Sequence, residues 1–139
     1  MTAYTRPSTL AAYQSVATHG GVAAADPHRL VVMLMDGALE RIARARGCIG
    51  NGALAEKNQL LSSAVSIVDE LRCSLDLEKG GTIAANLDDL YDYMCRQLMK
   101  ANLTNRIETL DEVSHLLNEI RSAWIALPAE ARALRPNPR

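Results

Sequence analysis

Apolar residues recur every three or four positions along most of this chain, in four separate runs. That spacing places them on one side of an α-helix, and no run alternates as a half-buried strand would. The runs predict helices over residues 27–46, 53–77, 82–101 and 108–127. Because the predicted connections between them are short, the chain should fold as an all-α, antiparallel up-down four-helix bundle.

The predicted helix boundaries carry signals of their own. Asp26 followed by Pro27 combines a preferred N-cap with a residue suited to the first helical position. The pair Gly80-Gly81 should break the chain between the second and third helices, with Thr82 as the N-cap of the third. Pro128 should stop the fourth helix.

The sequence on either side of these runs has a different composition. Residues 1–25 are rich in Ala, Ser, Thr and Gly, and they predict a flexible N-terminal arm. Residues 129–139 are rich in proline and arginine and predict a disordered tail. One bundle domain is therefore expected over residues 26–128, since a chain of 139 residues suits a single core.

Charge and composition narrow the class of function. A net charge of −1 and the absence of phenylalanine disfavour nucleic-acid binding, which needs clustered positive charge and stacking aromatic rings. No apolar window is long enough to cross a membrane, and no signal peptide is visible. The three cysteines have no zinc or redox spacing, so they are expected to be buried or half-buried thiols in a reducing cytoplasm.

No motif points strongly to catalysis. Glu112 and His115 have the Glu-x-x-His spacing of di-iron bundles, but such a site needs a second copy of the motif and further inward glutamates. His115 falls opposite the apolar stripe of its helix, so a solvent-facing histidine is the simpler interpretation. An exposed helical histidine also occurs in phosphotransfer bundles, but the residues expected after it are absent. The sequence therefore predicts a binding protein without catalytic residues, cofactor or metal.

The first predicted helix carries more apolar surface than a bundle requires. Its apolar residues fill an arc of roughly 220°, whereas a core-facing helix needs somewhat more than about 100°. The excess could be covered by the N-terminal arm or by a second copy of the chain. It could also form a docking surface for an amphipathic segment of another protein. The candidate partner-binding residues on this helix are Met33, Leu34, Met35 and Leu39.

Three blocks of sequence resemble a known family, the flagellar export chaperones that bind flagellin (the FliS family). The first block begins with Ala25-Asp26-Pro27-His28-Arg29-Leu30 and continues to Met33-Leu34-Met35-Asp36-Gly37-Ala38. The second runs from Glu78-Lys79-Gly80-Gly81 through Leu90-Tyr91-Asp92-Tyr93-Met94 to Asn102-Leu103. The third contains Glu112-Val113, Leu116-Leu117 and Ala123-Trp124. All three occur in the family's order with nearly matching spacing, over about residues 10–127.

The resemblance implies a cytosolic chaperone that wraps the C-terminal segment of flagellin around a four-helix bundle. In the family this prevents premature polymerisation and precedes delivery to the flagellar type III export apparatus. The resemblance also implies contacts with the export-gate component FlhA and the anti-sigma factor FlgM. It further implies that an N-terminal segment covers part of the client surface, with Leu10 and Tyr13 at the matching positions.

The leading hypothesis is therefore a non-enzymatic chaperone whose first helix holds an amphipathic client. On this hypothesis, lysine at Met35 and Leu39 should weaken client binding more than it lowers stability. The alternatives are a metal-carboxylate or phosphotransfer bundle, and a structural homodimer that buries the first helix against itself.

Overall fold

The structure, a computed structural model, describes residues 26–127. Four helices account for nearly all of this range: α1 (Pro27–Asn51), α2 (Leu54–Cys73), α3 (Leu77–Thr104) and α4 (Ile107–Ile125). Within the described range there is no strand. The predicted all-α four-helix fold is confirmed for this part of the chain. The predicted arm over residues 1–25 and the tail over 129–139 lie outside the described residues.

The helices form a closed ring in which each packs against two neighbours. α1 contacts α2 and α4, and α3 contacts the same two helices from the opposite side. The partners run antiparallel: Arg41 and Arg44 of α1 reach Ser63 and Glu56 of α2, so the two sequences meet in opposite order. With connections of only two or three residues between helices, antiparallel packing of successive helices is the expected arrangement.

α1 begins where the sequence predicts and ends at the far side of the predicted range. The carboxylate of Asp26 accepts a hydrogen bond from the Arg29 amide at 2.8 Å, and Pro27 occupies the first turn. The helix was expected to run to about residue 46 and to end near Gly47 to Gly52, and it continues through two glycines to Asn51, within that range. Burial of Cys48 against the core keeps this last stretch helical, and Gly52, in the left-handed region at φ 76°, ends it.

The connection before α3 differs from the prediction. α2 ends at Cys73, and Asp76 caps a new helix by accepting hydrogen bonds from the amides of Glu78 and Lys79. The predicted glycine break is present at Gly81, which has φ 55° and ψ −133°, a conformation essentially restricted to glycine. The break therefore lies inside α3 as a kink after its first turn, and Asp76 takes the capping role that the sequence suggested for Thr82.

Apolar side chains from all four helices fill the centre of the ring. Each fully buried Leu, Ile or Met contributes about 1.5–3 kcal/mol relative to an exposed side chain. The largest of these fully buried residues are Leu34, Met35, Ile42, Leu61, Ile67, Leu71, Met94, Leu98, Leu110 and Leu117.

A reciprocal pair of hydrogen bonds joins the start of α1 to the end of α4. The His28 ring donates from Nε2 to the Trp124 carbonyl oxygen at 2.6 Å, and Trp124 Nε1 donates to the His28 carbonyl oxygen at 3.0 Å. The two rings also stack, with centroids 5.0 Å apart and planes 11° from parallel. His28 thus pairs one of the last carbonyls of α4, which an α-helix leaves without an internal partner.

The three cysteines differ in exposure, which gives a direct check on the core. Cys48 and Cys95 are buried, whereas Cys73 is exposed, so the expectation that all three are at least half-buried was wrong for Cys73. Desolvation raises the pKa of the Cys95 thiol to about 11, which suppresses the reactive thiolate.

We expect Ellman's reagent at about pH 8 to modify Cys73 rapidly and the other two thiols only after unfolding, because only an accessible thiolate reacts. Timed absorbance of the native and urea-unfolded protein measures both phases. Cys73→Ser is the control and should abolish the rapid phase. Rapid reaction of a second thiol in native protein would contradict this assignment of the core.

Candidate functional site

The residues that the sequence singled out on α1 are mostly interior. Leu34 and Met35 are 0% exposed, so neither offers surface to a partner. Leu39 is partly buried against the core, and Met33 is half-buried. Leu10 and Tyr13 lie outside the described residues. Of the six predicted contacts, Met33 and Leu39 are therefore the ones with described surface that a client could touch.

The wide apolar arc of α1 is used by its contacts with α4 as well as α2. Asp36 pairs with Arg121, and Arg46 pairs with Asp111, so this side of α1 faces α4. Val32 and Leu39 lie within one turn of Asp36 on that side and pack against the core. Much of the apolar excess that suggested a docking helix is thus used in tertiary packing, and two ion pairs join α1 to α4 on the same side.

Exposed apolar surface is found instead along α3. Leu103 is 86% exposed and Met99 51% exposed, one turn apart on the last part of that helix. Leu54, at the start of α2, is also exposed. Nothing in the sequence separated Met99 from Met94, which is 0% exposed.

Between α2 and α3 lies an apolar groove of about 180 Å³ that ends beside Met99. We call it the α2/α3 groove; it is lined by Leu61, Ser62, Val65, Leu98, Met99 and Asn102. The Cys95 thiol approaches the Val65 carbonyl oxygen at 3.8 Å, which shows how closely the helices meet along it. Its floor is core, since Leu61 and Leu98 are buried, and its wall is the exposed side chain of Met99.

A buried lysine holds the open end of this groove in place. Lys57 of α2 is only 3% exposed, and its Nζ donates to the Asn102 carbonyl oxygen at 2.8 Å and to Asn105 Oδ1 at 2.6 Å. Asn105 ends α3 in the left-handed conformation. The ammonium therefore pairs one of the last carbonyl groups of α3. Its positive charge also interacts favourably with the negative end of the α3 helix dipole. This contact fixes the start of α2 against the end of α3.

Charged residues close the opposite end of the α2–α3 contact. Arg72 donates to Asp88 at 2.7 Å and to Asp92 at 3.1 Å, and Arg96 donates to Asp92 at 3.0 Å. The hydrogen bond to Asp88 raises the pKa of Arg72, so the guanidinium stays charged. The α2/α3 groove is thus apolar between this ionic network and the exposed pair Met99 and Leu103.

The outer rim of the groove on α2 consists of neutral polar side chains, one of which, Ser63, accepts a hydrogen bond from the Arg41 guanidinium of α1 at 2.7 Å. It forms a ledge beside a shallow depression of about 420 Å³. We call this rim the neutral ledge; its residues are Asn58, Gln59, Ser62, Ser63 and Ser66. Ser62 belongs to both the ledge and the groove. A neutral face loses less hydration energy on burial than a charged one, which suits an interface.

The other flank of α3 faces α4 and also carries apolar side chains. The Tyr93 hydroxyl donates to Glu112 at 2.7 Å, and this hydrogen bond raises the pKa of Tyr93. The exposed Ile83 lies nearly three turns before Tyr93, close to the start of α3. Leu90 of α3 and Leu116 and Ile120 of α4 are partly buried against the core. α3 therefore carries exposed apolar side chains near both of its ends.

The described residues hold no arrangement typical of a metal or membrane site. Across residues 26–127, no group of three or more His, Cys, Asp and Glu side chains could hold a metal ion. His115 is exposed and approaches Glu119 at 3.3 Å. In the same range no helix is long and apolar enough to span a bilayer. What the described surface offers is apolar contact area bordered by polar groups.

Comparison with known proteins places the chain in a family. The family model for the flagellar protein FliS matches residues 9–131. The flagellar secretion chaperone FliSB of Pseudomonas aeruginosa is 47% identical over 112 residues, which cover 81% of this chain and 89% of that protein. The flagellar secretion chaperone FliS of Salmonella typhimurium is 43% identical over 125 residues, 89% of this chain and 93% of that protein. The flagellar secretion chaperone FliS of Bacillus subtilis is 35% identical over 100 residues, 72% of this chain and 74% of that protein. The matched region includes all four helices, and the chain therefore belongs to the FliS family.

Proposed function

We propose that this protein is a non-enzymatic secretion chaperone that binds the C-terminal segment of flagellin in the cytoplasm. It keeps that segment from polymerising prematurely and delivers it to the flagellar type III export apparatus. The observation that carries the proposal is the exposed apolar surface near both ends of α3, in a chain whose relatives are named flagellar secretion chaperones.

The mechanism is burial of apolar surface that both partners expose when separate. Contact with side chains such as Met99, Leu103 and Ile83 removes water from apolar area, worth about 25 cal/mol per Å² before ordering costs. A client segment that is unfolded in isolation must order as it binds, which lowers the affinity per unit of buried area. Bound in this way, its own apolar face is unavailable to other flagellin molecules.

The residues proposed to contact the client follow from exposure. The α2/α3 groove with Met99 and Leu103 forms the principal surface, and Ile83 marks a second contact area near the start of α3. Met33 and Leu39 remain proposed contacts on α1. For the segment that precedes α1 the proposal keeps Leu10 and Tyr13, as a lid that client binding displaces. FlhA and FlgM remain proposed further partners.

Isothermal titration with a peptide of the C-terminal segment of the flagellin from the same genome tests the proposal. We expect saturable binding with a negative heat-capacity change, the signature of apolar burial, and a gain of helical circular dichroism as the peptide orders. A peptide of the same composition in scrambled order is the control and should not bind. Absence of heat at several temperatures, with no ordering of the native peptide, would refute the proposed client.

A further inference from the structure

One end of the bundle holds three of the six large apolar side chains that are exposed on residues 26–127. Leu77 and Ile83 near the start of α3 are 55% and 56% exposed, and Ile125 at the end of α4 is 45% exposed. The two helices meet here, because Trp124, next to Ile125, lines a small cavity with Leu87, one turn after Ile83. We call Leu77, Ile83 and Ile125 the terminal patch, an apolar surface that the rest of residues 26–127 leaves open.

The terminal patch lies in a region of excess negative charge. Nine carboxylates and four cationic side chains, an excess of five negative charges, belong to the segments that build this end of the bundle, residues 26–35, 66–92 and 118–127. Arg29 and Lys79 are exposed here and are included in that count. Three of the carboxylates are exposed and have no ion-pair partner within residues 26–127, namely Asp69, Glu78 and Asp89. An apolar surface bordered by carboxylates suits a segment that combines apolar and cationic side chains.

We propose that residues 128–139 of this chain, the basic tail, fold back over the terminal patch, with Leu134 on its apolar side chains and Arg132 and Arg135 beside the carboxylates around it. The basic tail has three arginines and one glutamate among its twelve residues, with alanines and Leu134 between them. The inference goes beyond the proposed function, since it concerns the protein without its client. The disorder expected from the composition of residues 129–139 then applies to the undocked tail.

The basic tail is attached beside the terminal patch and is long enough to cover it. It follows directly on Leu127, three residues after Trp124, which lies in the cavity next to α3. Neighbouring helices of a bundle are about 8–10 Å apart, and an extended chain spans up to about 3.6 Å per residue. About four residues therefore cross from α4 to α3, which brings Arg132, Leu134 and Arg135 within reach.

Other occupants fit the terminal patch less well. The segment before α1 also joins the bundle at this end, since His28 contacts Trp124, but residues 1–25 contain one arginine and no carboxylate, a lower density of positive charge than that of the basic tail. A second copy of the chain would bring the same excess of carboxylates against itself. A separate partner would lack the tether, which gives an attached segment an effective concentration in the millimolar range. The basic tail is therefore the favoured occupant.

A nitroxide spin label on Cys73 tests this contact, since that thiol is exposed at the end of α2 whereas the other two thiols are buried. In the protein without client we expect strong paramagnetic broadening of the amide NMR signals of residues 131–135. The variant Arg132→Glu with Arg135→Glu has a tail of the same length on the same tether, and its broadening should be about twofold weaker or less than half. Salt at about 1 M should weaken the wild-type broadening similarly, because it reduces the Debye length to about 3 Å.

Reversal of charge on the bundle should restore the contact. Glu78→Lys with Asp89→Lys, added to the charge-reversed tail, should recover most of the broadening, because the opposite charges are again paired. Glu56→Lys with Glu108→Lys makes the same change of charge at exposed positions of the opposite end of the bundle. This pair is the matched control and should recover none of the broadening.

The apolar half of the contact is tested without any change of charge. Ile83→Ser should weaken the broadening of residues 131–135, because Leu134 loses its apolar neighbour. Leu103→Ser, the corresponding change at the opposite end of α3, should leave the broadening unchanged. Both side chains are exposed, so neither variant opens a cavity, and this pair keeps the test decisive if a charge variant fails to fold.

Four results would overturn the proposal. Equal broadening in the wild type and in the charge-reversed tail would show that the tail is merely tethered nearby. Recovery by the control pair would reduce the effect to net charge. Tail broadening that appears when spin-labelled protein is mixed with isotope-enriched, unlabelled protein would assign the terminal patch to a second copy. A response to Ile83→Ser confined to residues 1–25 would assign it to the N-terminal segment.

A competition with the client follows, because Ile83 is also a proposed client contact, and this consequence alone rests on the proposed function. Leu134→Ser should raise the affinity for the flagellin C-terminal peptide about threefold in titration, since a docked tail lowers the apparent affinity. Unchanged affinity would overturn the competition. Failure of the wild-type protein to bind the peptide would refute the proposed client, whereas the docking of the tail is decided by the NMR experiment, in which no client is present.

Discussion

Met35→Lys should be mostly unfolded at urea concentrations at which the wild-type protein is still fully folded. Met35 is 0% exposed and lies among buried leucines and alanines of the core. An ammonium placed there has no counter-charge, and such a substitution costs about 3–5 kcal/mol, a large share of the stability of a small domain. Urea unfolding followed by circular dichroism measures the loss.

Met99→Lys is the matched control for that experiment. Met99 is half in solvent, so the same change should alter the free energy of unfolding by about 0.5 kcal/mol or less. Equal stability of the two variants would contradict the interior position of Met35. From the sequence pattern alone, lysine at Met35 was expected to weaken client binding more than it lowers stability. Because Met35 is buried, we now expect the loss of stability to dominate.

Aspartate at both Met99 and Leu103 should abolish most client binding while the bundle stays folded. More than half of each side chain is in solvent in the free protein, so neither substitution opens a cavity. In the proposed complex each apolar side chain is buried and contributes about 1–2 kcal/mol, so the double change should weaken affinity roughly 30- to 1000-fold. Titration with the flagellin C-terminal peptide, together with a melting curve, measures both quantities.

The control adds the same two charges elsewhere on the surface. Asn118 and Ser122 are exposed on α4 at the same four-residue spacing, and their replacement by aspartate should leave affinity within about twofold. If that control weakens binding as much as the α3 variant, the effect is one of net charge and the α2/α3 groove is not the client site.

Local signals in the sequence were sufficient for most of the fold. Asp26 and Pro27 predicted the start of α1, and the spacing of apolar residues predicted the number and order of the helices. They predicted the end of α1 only as a range near Gly47 to Gly52; burial of Cys48 outweighs the low helix propensity of the flanking glycines and extends the helix to Asn51. They also missed the cap at Asp76, since Leu75 and Leu77 on either side continue the apolar pattern of the preceding helix.

The candidate site could be predicted from the sequence less well than the fold. Helical periodicity shows which arc of a helix is apolar, but not which neighbouring helix covers it. The sequence therefore did not show that Met35 is covered by other helices whereas Met99 is not. Lys57 had no signal of its own in the sequence, because its contacts with the end of α3 appear only in the folded structure.

The pairing of His28 with Trp124 has a consequence for how the chain folds during synthesis. The two residues are 96 positions apart, whereas α1 and α2 meet across a two-residue turn. Because local contacts form faster than distant ones, the α1–α2 hairpin can assemble first. The ribosome, however, releases the N-terminus long before Trp124. Until translation reaches α4, the nascent hairpin carries the uncovered side of α1 that includes Leu39, and the ring closes last.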